Sequence, residues 1–93
     1  MENPKIKYVE ALNNYRLFVI FETGEIKIYS VRELLKNPDF SALKDETLFL
    51  KAKKAEGGYG VVWNDEIDLS EYEIWKNGVA VSSINKLTDS IVF

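Results

Sequence analysis

Apolar and polar residues alternate through the first third of the chain with a period of two, the signature of strands rather than helices. "KIKYVEAL", rich in Ile, Tyr and Val, predicts a strand over about residues 5 to 12. "NNY" then turns the chain, since Asn tolerates left-handed backbone. "RLFVIFE" predicts a second strand, with Leu17, Val19 and Phe21 on one face and Phe18 and Ile20 on the other. Apolar groups on both faces mark a central strand. "ETGE" supplies a tight turn around Gly24. "EIKIYS" predicts a third strand, Ile26 and Ile28 on one side, Lys27 and Tyr29 on the other. The three make an antiparallel meander.

The pattern then changes. Ser30 and Glu33 have the S-x-x-E spacing of a capping box and predict a helix start. Val31, Leu34 and Leu35 form its apolar face, and Asn37-Pro38 stops it, because the residue before Pro disfavours helical geometry. Phe40 and Leu43 in "DFSAL" are expected to plug the core. "KDETLFLK" predicts one further turn capped by Asp45 and anchored by Leu48 and Phe49. Residues 51–56 and 59–64 flank Gly57-Gly58 and predict a second hairpin, which "EIDL" extends. Ser70 and Glu73 repeat the capping-box spacing, with Tyr72, Ile74 and Trp75 supplying apolar surface. Asn77-Gly78 ends that helix. In the last fifteen residues "VAV" suits a short strand, and Ile84, Leu87 and Ile91 have helical spacing. The expected fold is α+β: an antiparallel three-stranded meander, a helix, a second hairpin and a short C-terminal helix. Residues 1–78 form one domain. Residues 79–93 are an extension packed on that domain or used in association.

Composition narrows function. The 93 residues suit a single domain, and 46% apolar with 29% charged residues is ordinary for a globular chain. Twelve basic residues against fifteen acidic ones give a net charge of −3, which lends no overall attraction to nucleic acid or anionic lipid. There is no cysteine, so no disulfide framework or thiolate metal site. There is no histidine, which removes Ser-His-Asp triads, histidine metal sites and the commonest acid–base catalyst at neutral pH. The N-terminal "MENPKIKYVE" has no apolar signal region, and "LFVIF" is far too short to span a bilayer. A cytoplasmic protein, without membrane attachment and without a cofactor, is expected.

Several stretches invite a chemical reading. Asp65, Glu66 and Asp68 are three carboxylates within four positions, yet they match no calcium loop and have no histidine beside them. Asp68 stands just before a helix start, where a carboxylate is favoured by free N–H groups. Trp63 is expected in the core with its N–H bonded. "GGYG" at 57 to 60 lacks the following Lys and Ser or Thr of a phosphate loop and precedes a strand, so a hairpin turn is the better account. Lys51, Lys53 and Lys54, with Lys5 and Lys7, suggest a basic face on which bases would stack at Tyr8 or Tyr59. Edge lysines that discourage sheet aggregation account for the same residues.

The ordered set "LFVIFETGEIKIYSV" (17 to 31), Phe40 to Leu43, Leu48-Phe49 and "VVWNDEIDLS" (61 to 70) resembles a small bacterial family, the domain of unknown function 2442. The resemblance covers roughly residues 6 to 78. It implies an α+β fold and supplies no established activity. It also implies a pairing with a second small gene product, of toxin–antitoxin type. Some relatives carry a helix-turn-helix domain after this one. Fifteen residues after position 78 are too few for that module, so DNA binding by that route is not expected. At Asn64-Asp65-Glu66 relatives commonly place Pro, Asn or Gly, so this turn is more acidic than theirs.

The leading expectation is therefore a non-catalytic cytoplasmic protein-interaction module, the antitoxin-like or regulatory member of a two-gene pair. It would bind a protein partner or itself through Trp75, Val79, Val81, Ile84 and Leu87. The alternative is a nucleic-acid-binding regulator using Lys51, Lys53 and Lys54 on the strand at 51–56. An enzyme would have to rely on Asp, Glu, Lys, Tyr or Ser alone.

Overall fold

The structure, a computed structural model, describes residues 3–81. In chain order come β1 (Ile6–Leu12), β2 (Arg16–Phe21), β3 (Ile26–Ser30), two 3-10 turns (Arg32–Lys36 and Ser41–Lys44) and α1 (Glu46–Phe49). Then follow β4 (Lys53–Lys54), a 3-10 turn (Glu56–Gly58), β5 (Gly60–Val62), β6 (Asp68–Ser70), α2 (Glu71–Asn77) and β7 (Val79–Val81). Two antiparallel sheets result, in the orders β1-β2-β3-β7 and β4-β5-β6. The fold is α+β, as the patterning predicts.

β2 is central, as its two apolar faces require. Leu17, Val19 and Phe21 are fully buried and face the second sheet and the helices across one shared core. Each such side chain contributes about 1.5–3 kcal/mol by leaving water. Phe18 and Ile20 point the other way. β1 keeps step with β2 by means of a bulge. Ile6 pairs with Phe21 and Tyr8 with Ile20, so Lys7 is the extra residue. The bulge turns Ile6 into the core and Tyr8 out of it, although the two stand two positions apart.

The turns follow local chemistry. Asn14 takes φ 64°, as expected of Asn, and Tyr15 beside it takes φ 58°. A left-handed Tyr costs about 1 kcal/mol. Tertiary contacts offset that cost: the Tyr15 ring meets Phe49 edge-on at 5.2 Å and its hydroxyl donates to the Lys44 carbonyl. Gly24 takes φ 95° between β2 and β3.

The segment after β3 departs from the expected helix. Ser30 and Glu33 form no capping box. Ser30 closes β3, and its Oγ accepts from the Arg32 N–H at 3.3 Å. Glu33 pairs with Lys36 at 3.4 Å instead of reaching back. The cause is Val31, which is fully buried and whose N–H donates to the Tyr15 carbonyl. Sheet-type pairing thus runs one residue past Ser30. Too few residues remain before Asn37-Pro38 for more than a 3-10 turn, and Asn37 is extended (ψ 129°) as a residue before Pro should be. Asp45 does cap α1, accepting from the Thr47 N–H at 3.0 Å, and Leu43 and Phe49 are fully buried.

The second hairpin exists but is shorter than the expected strands at 51–56 and 59–64. Lys and Ala have low strand propensity, and only Lys53 and Lys54 pair, with Val62 and Val61. β6 adds a third strand through the "DLS" of the expected extension. Gly58 packs against β1: a Cβ there would lie 2.4 Å from the Ile6 carbonyl oxygen.

Ser70 caps α2, accepting from the Glu73 N–H at 3.1 Å. Glu73 completes no capping box; its carboxylate accepts from the Tyr29 hydroxyl and the Asn77 amide, each at 2.9 Å. Gly78 ends the helix, but not by a left-handed turn, since its φ is −73°. Glycine is needed there for closeness: a Cβ would sit 2.7 Å from the Ile74 carbonyl oxygen and 3.2 Å from Lys27 Cβ. The chain then enters β7 at once, so residues 79–81 are part of the main sheet.

Candidate interaction surface

Asp65, Glu66 and Asp68 are all exposed. The loop that carries them is organised by Asn64, whose Oδ1 accepts from the N–H groups of Glu66 (2.8 Å) and Ile67 (2.9 Å). Trp63 is buried behind it; its indole N–H donates to the Phe49 carbonyl at 3.0 Å, and the two rings stack 6.2 Å apart. Glu66 and Asp68 line a shallow cleft of about 430 Å³ with Asp39, Pro38, Phe40, Ala42 and Ile67. Among the described residues no three carboxylates are grouped as metal ligands. Asp68 makes no hydrogen bond to the start of α2. That start is served by Ser70, with Glu71 and Glu73 in the first turn. Trp63 is in the core with its N–H bonded, as expected, but Asp68 is not the group that settles the helix.

The lysines are divided. Lys51 lies outside β4, and Lys53 and Lys54 are successive strand residues, which point to opposite faces. Lys53 shares a cleft with Asp65 and Asp68. Lys5 stands over the exposed Tyr59 ring at 5.0 Å, a cation–π contact within the chain. Lys51, Lys53 and Lys54 therefore do not form one continuous positive face.

Trp75 is half-buried on the core side, edge-on to Phe21 at 5.0 Å. Lys27 reaches it from β3: the ammonium lies 4.4 Å from the indole centroid and donates to the Trp75 carbonyl, which satisfies the end of α2. Val79 and Val81 lie on the opposite face of the sheet. The structure thus separates Trp75 from the two valines expected to act with it. Ile84 and Leu87 lie outside the described residues.

What the register assembles around Val79 and Val81 is more extensive. Glu10, Phe18, Ile28 and Val79 form one row across the four strands, and Tyr8, Ile20, Ile26 and Val81 form the next. Seven of these eight side chains are apolar or aromatic. Among the described residues none belongs to the core cluster or packs against it, because both described helices, the 3-10 turns and the second sheet feed the core from the other side. Val79 is 68% and Tyr8 46% exposed, whereas Phe18 is buried and Ile20, Ile26, Ile28 and Val81 are half-buried. The Tyr8 ring meets Phe18 edge-on at 6.0 Å, and its hydroxyl donates to Glu10 at 2.9 Å, which raises the Tyr8 pKa. Tyr8, Phe18, Ile20, Ile26 and Ile28 escape a search for motifs. Their signal was the alternation itself: Ile26 and Ile28 opposite Lys27 and Tyr29, beside a strand apolar on both faces.

No described helix is long and apolar enough to cross a membrane. No curated protein matches the chain. Its fold is similar to that of a crystal structure from Nitrosomonas europaea, named a "putative DNA binding protein", with 33% identity and a TM-score of 0.68 over 78% of this chain and 48% of that one. The chain therefore spans about half the length of that protein. The family model for proteins of unknown function DUF2442 matches residues 6–80, and the chain belongs to that family.

Proposed function

We propose that this domain is a non-catalytic protein-association module that takes one amphipathic helical segment on the outer face of its four-stranded sheet. The two apolar rows carry the reading. Four strands span about 14 Å, and two rows on one face stand about 7 Å apart. That footprint matches a single helix about 10 Å across, in the helix-on-apolar-surface mode of recognition. It is too small by itself for a standard interface of about 800 Å² per partner. On this reading the protein works in the cytoplasm as the non-catalytic, antitoxin-like or regulatory member of a two-gene pair. Acidic groups such as Glu10 at the rim steer a basic partner.

The Nitrosomonas europaea protein's name makes nucleic-acid binding the reading to test alongside. The two apolar rows contain no basic residue, Arg16 being the one cation in the next row of that face with Leu12 and Ser30, and Lys53 shares a cleft with Asp65 and Asp68; the apolar rows favour a protein ligand. A photo-crosslinking amino acid at Tyr8 or Val79 in the full chain distinguishes the two in cells. Discrete, nuclease-resistant protein adducts are expected from those positions and none from the equally exposed Tyr59 and Tyr72. Nuclease-sensitive adducts, or the same adducts from all four positions, would overturn the assignment.

A further inference from the structure

We propose that Asn77-Gly78, the joint between α2 and β7, is a site of spontaneous asparagine deamidation that the fold holds closed, and that modification there loosens β7 from the sheet. Of the asparagines in the chain, Asn77 is the one followed by glycine. Glycine has no Cβ to shield its own nitrogen, so this dipeptide is the most open to attack of backbone on side chain. The Gly78 nitrogen loses its proton to solvent base and attacks Asn77 Cγ. The N–Cγ bond forms, the Cγ–Nδ2 bond breaks, and the side-chain nitrogen leaves as ammonia. Water then opens the cyclic imide at either carbonyl, giving aspartate by one route and isoaspartate by the other.

Two hydrogen bonds keep the reacting atoms apart. The Gly78 N–H donates to the Ile74 carbonyl at 2.8 Å, which engages the proton that must leave. Asn77 Nδ2 donates to Glu73 Oε2 at 2.9 Å, which draws the side chain toward the preceding turn and away from residue 78. Both bonds lie in the last turn of a seven-residue helix, and such ends open at low cost. The glycine is fixed there by packing, since a Cβ would sit 2.7 Å from the Ile74 carbonyl oxygen. The lability of the pair comes with that constraint.

Neither product fits the closed joint. Aspartate at position 77 sets a second carboxylate against Glu73. Isoaspartate adds a backbone methylene between α2 and β7, where Gly78 already lies against the Ile74 carbonyl and Lys27. β7 begins at the next residue and pairs with β3 through Val79, Ala80 and Val81 alone. The added length falls on that short pairing.

The test incubates the full chain at mildly alkaline pH, folded and in urea, and follows its peptides by mass. The peptide holding Asn77 is expected to exchange amide for acid about tenfold faster in urea, as a modest opening free energy at a helix end dictates. Folded Glu73→Ala should react faster than the unsubstituted chain, and Glu73→Gln, which keeps an acceptor oxygen, should restore the slow rate. Asn77→Gln, whose longer side chain closes the ring poorly, should leave that peptide unchanged. In the modified, refolded chain the amides of residues 79–81 should exchange hydrogen faster than in the unmodified one, whatever binds the outer face. Equal rates folded and in urea, a Glu73→Ala rate equal to that of the unsubstituted chain, or earlier reaction at another asparagine would overturn the inference. Unchanged exchange at 79–81 after modification would overturn it too.

Discussion

The Tyr29 hydroxyl donates to the Glu73 carboxylate at 2.9 Å, joining β3 to α2 across 44 residues of chain. Burial, and then the bond to Glu73 and its charge, hold the Tyr29 proton well above the ordinary phenol value of 10.0. A group whose pKa is raised by folding stabilises the fold fully below its unfolded pKa and loses that contribution as pH climbs toward the folded value. Stability should therefore fall from about pH 10 upward. Tyr29→Phe should cost about 1–2 kcal/mol at pH 7, the net worth of one such bond. It should also flatten the alkaline decline. Melting temperatures of both chains between pH 7 and 12 check this; parallel declines would show that Tyr29 is not the group titrating.

Capping and charge at the start of α2 separate cleanly. Ser70 Oγ accepts a helix N–H, whereas Asp68 accepts none. Ser70→Ala should cost about 1 kcal/mol. Asp68→Asn should stay within about 0.5 kcal/mol, as exposed substitutions do. Urea denaturation of both variants reads the contrast. An Asp68 effect as large as that of Ser70 would return the carboxylate to the helix start.

Two glycines with left-handed backbone should respond differently to alanine. Gly24 has φ 95° and open space where a Cβ would go. Gly24→Ala should cost about 1 kcal/mol, the conformational strain alone. Gly58 has φ 80° and would bring a Cβ to 2.4 Å from the Ile6 carbonyl oxygen. Gly58→Ala should cost clearly more, about 2–4 kcal/mol, because strain and the clash with β1 add. Equal losses would mean that the 3-10 turn at Glu56–Gly58 does not dock on β1.

The local signals in this chain were largely sufficient for its elements. The alternation in "RLFVIF" assigns both faces of the central strand, Asn37-Pro38 ends a turn, and Asp45 and Ser70 cap their helices. The failures arise where a distant partner overrides a local motif. Ser30–Glu33 has capping-box spacing, but Val31 is drawn into the core and bonds to Tyr15, so the strand wins. Gly78 ends α2 as expected, but the reason is close contact with the Ile74 carbonyl and Lys27, which the sequence does not show. The surface was least legible. Trp75 and Val79 are four positions apart and both apolar, yet the helix end and the strand that follows place them on opposite faces of a sheet. Only the pairing of β7 with β3 shows that Val79 and Val81 continue the rows of Ile28 and Ile26.

The most direct test of the outer rows substitutes their middle. Ile28→Lys should leave the melting temperature near that of the unsubstituted chain, because Ile28 is outside the core cluster. It should abolish the photo-adduct formed from Val79 beside it. A chain that melts normally and still gives the full adduct would contradict the account, and so would one that no longer folds, since Ile28 would then belong to the interior.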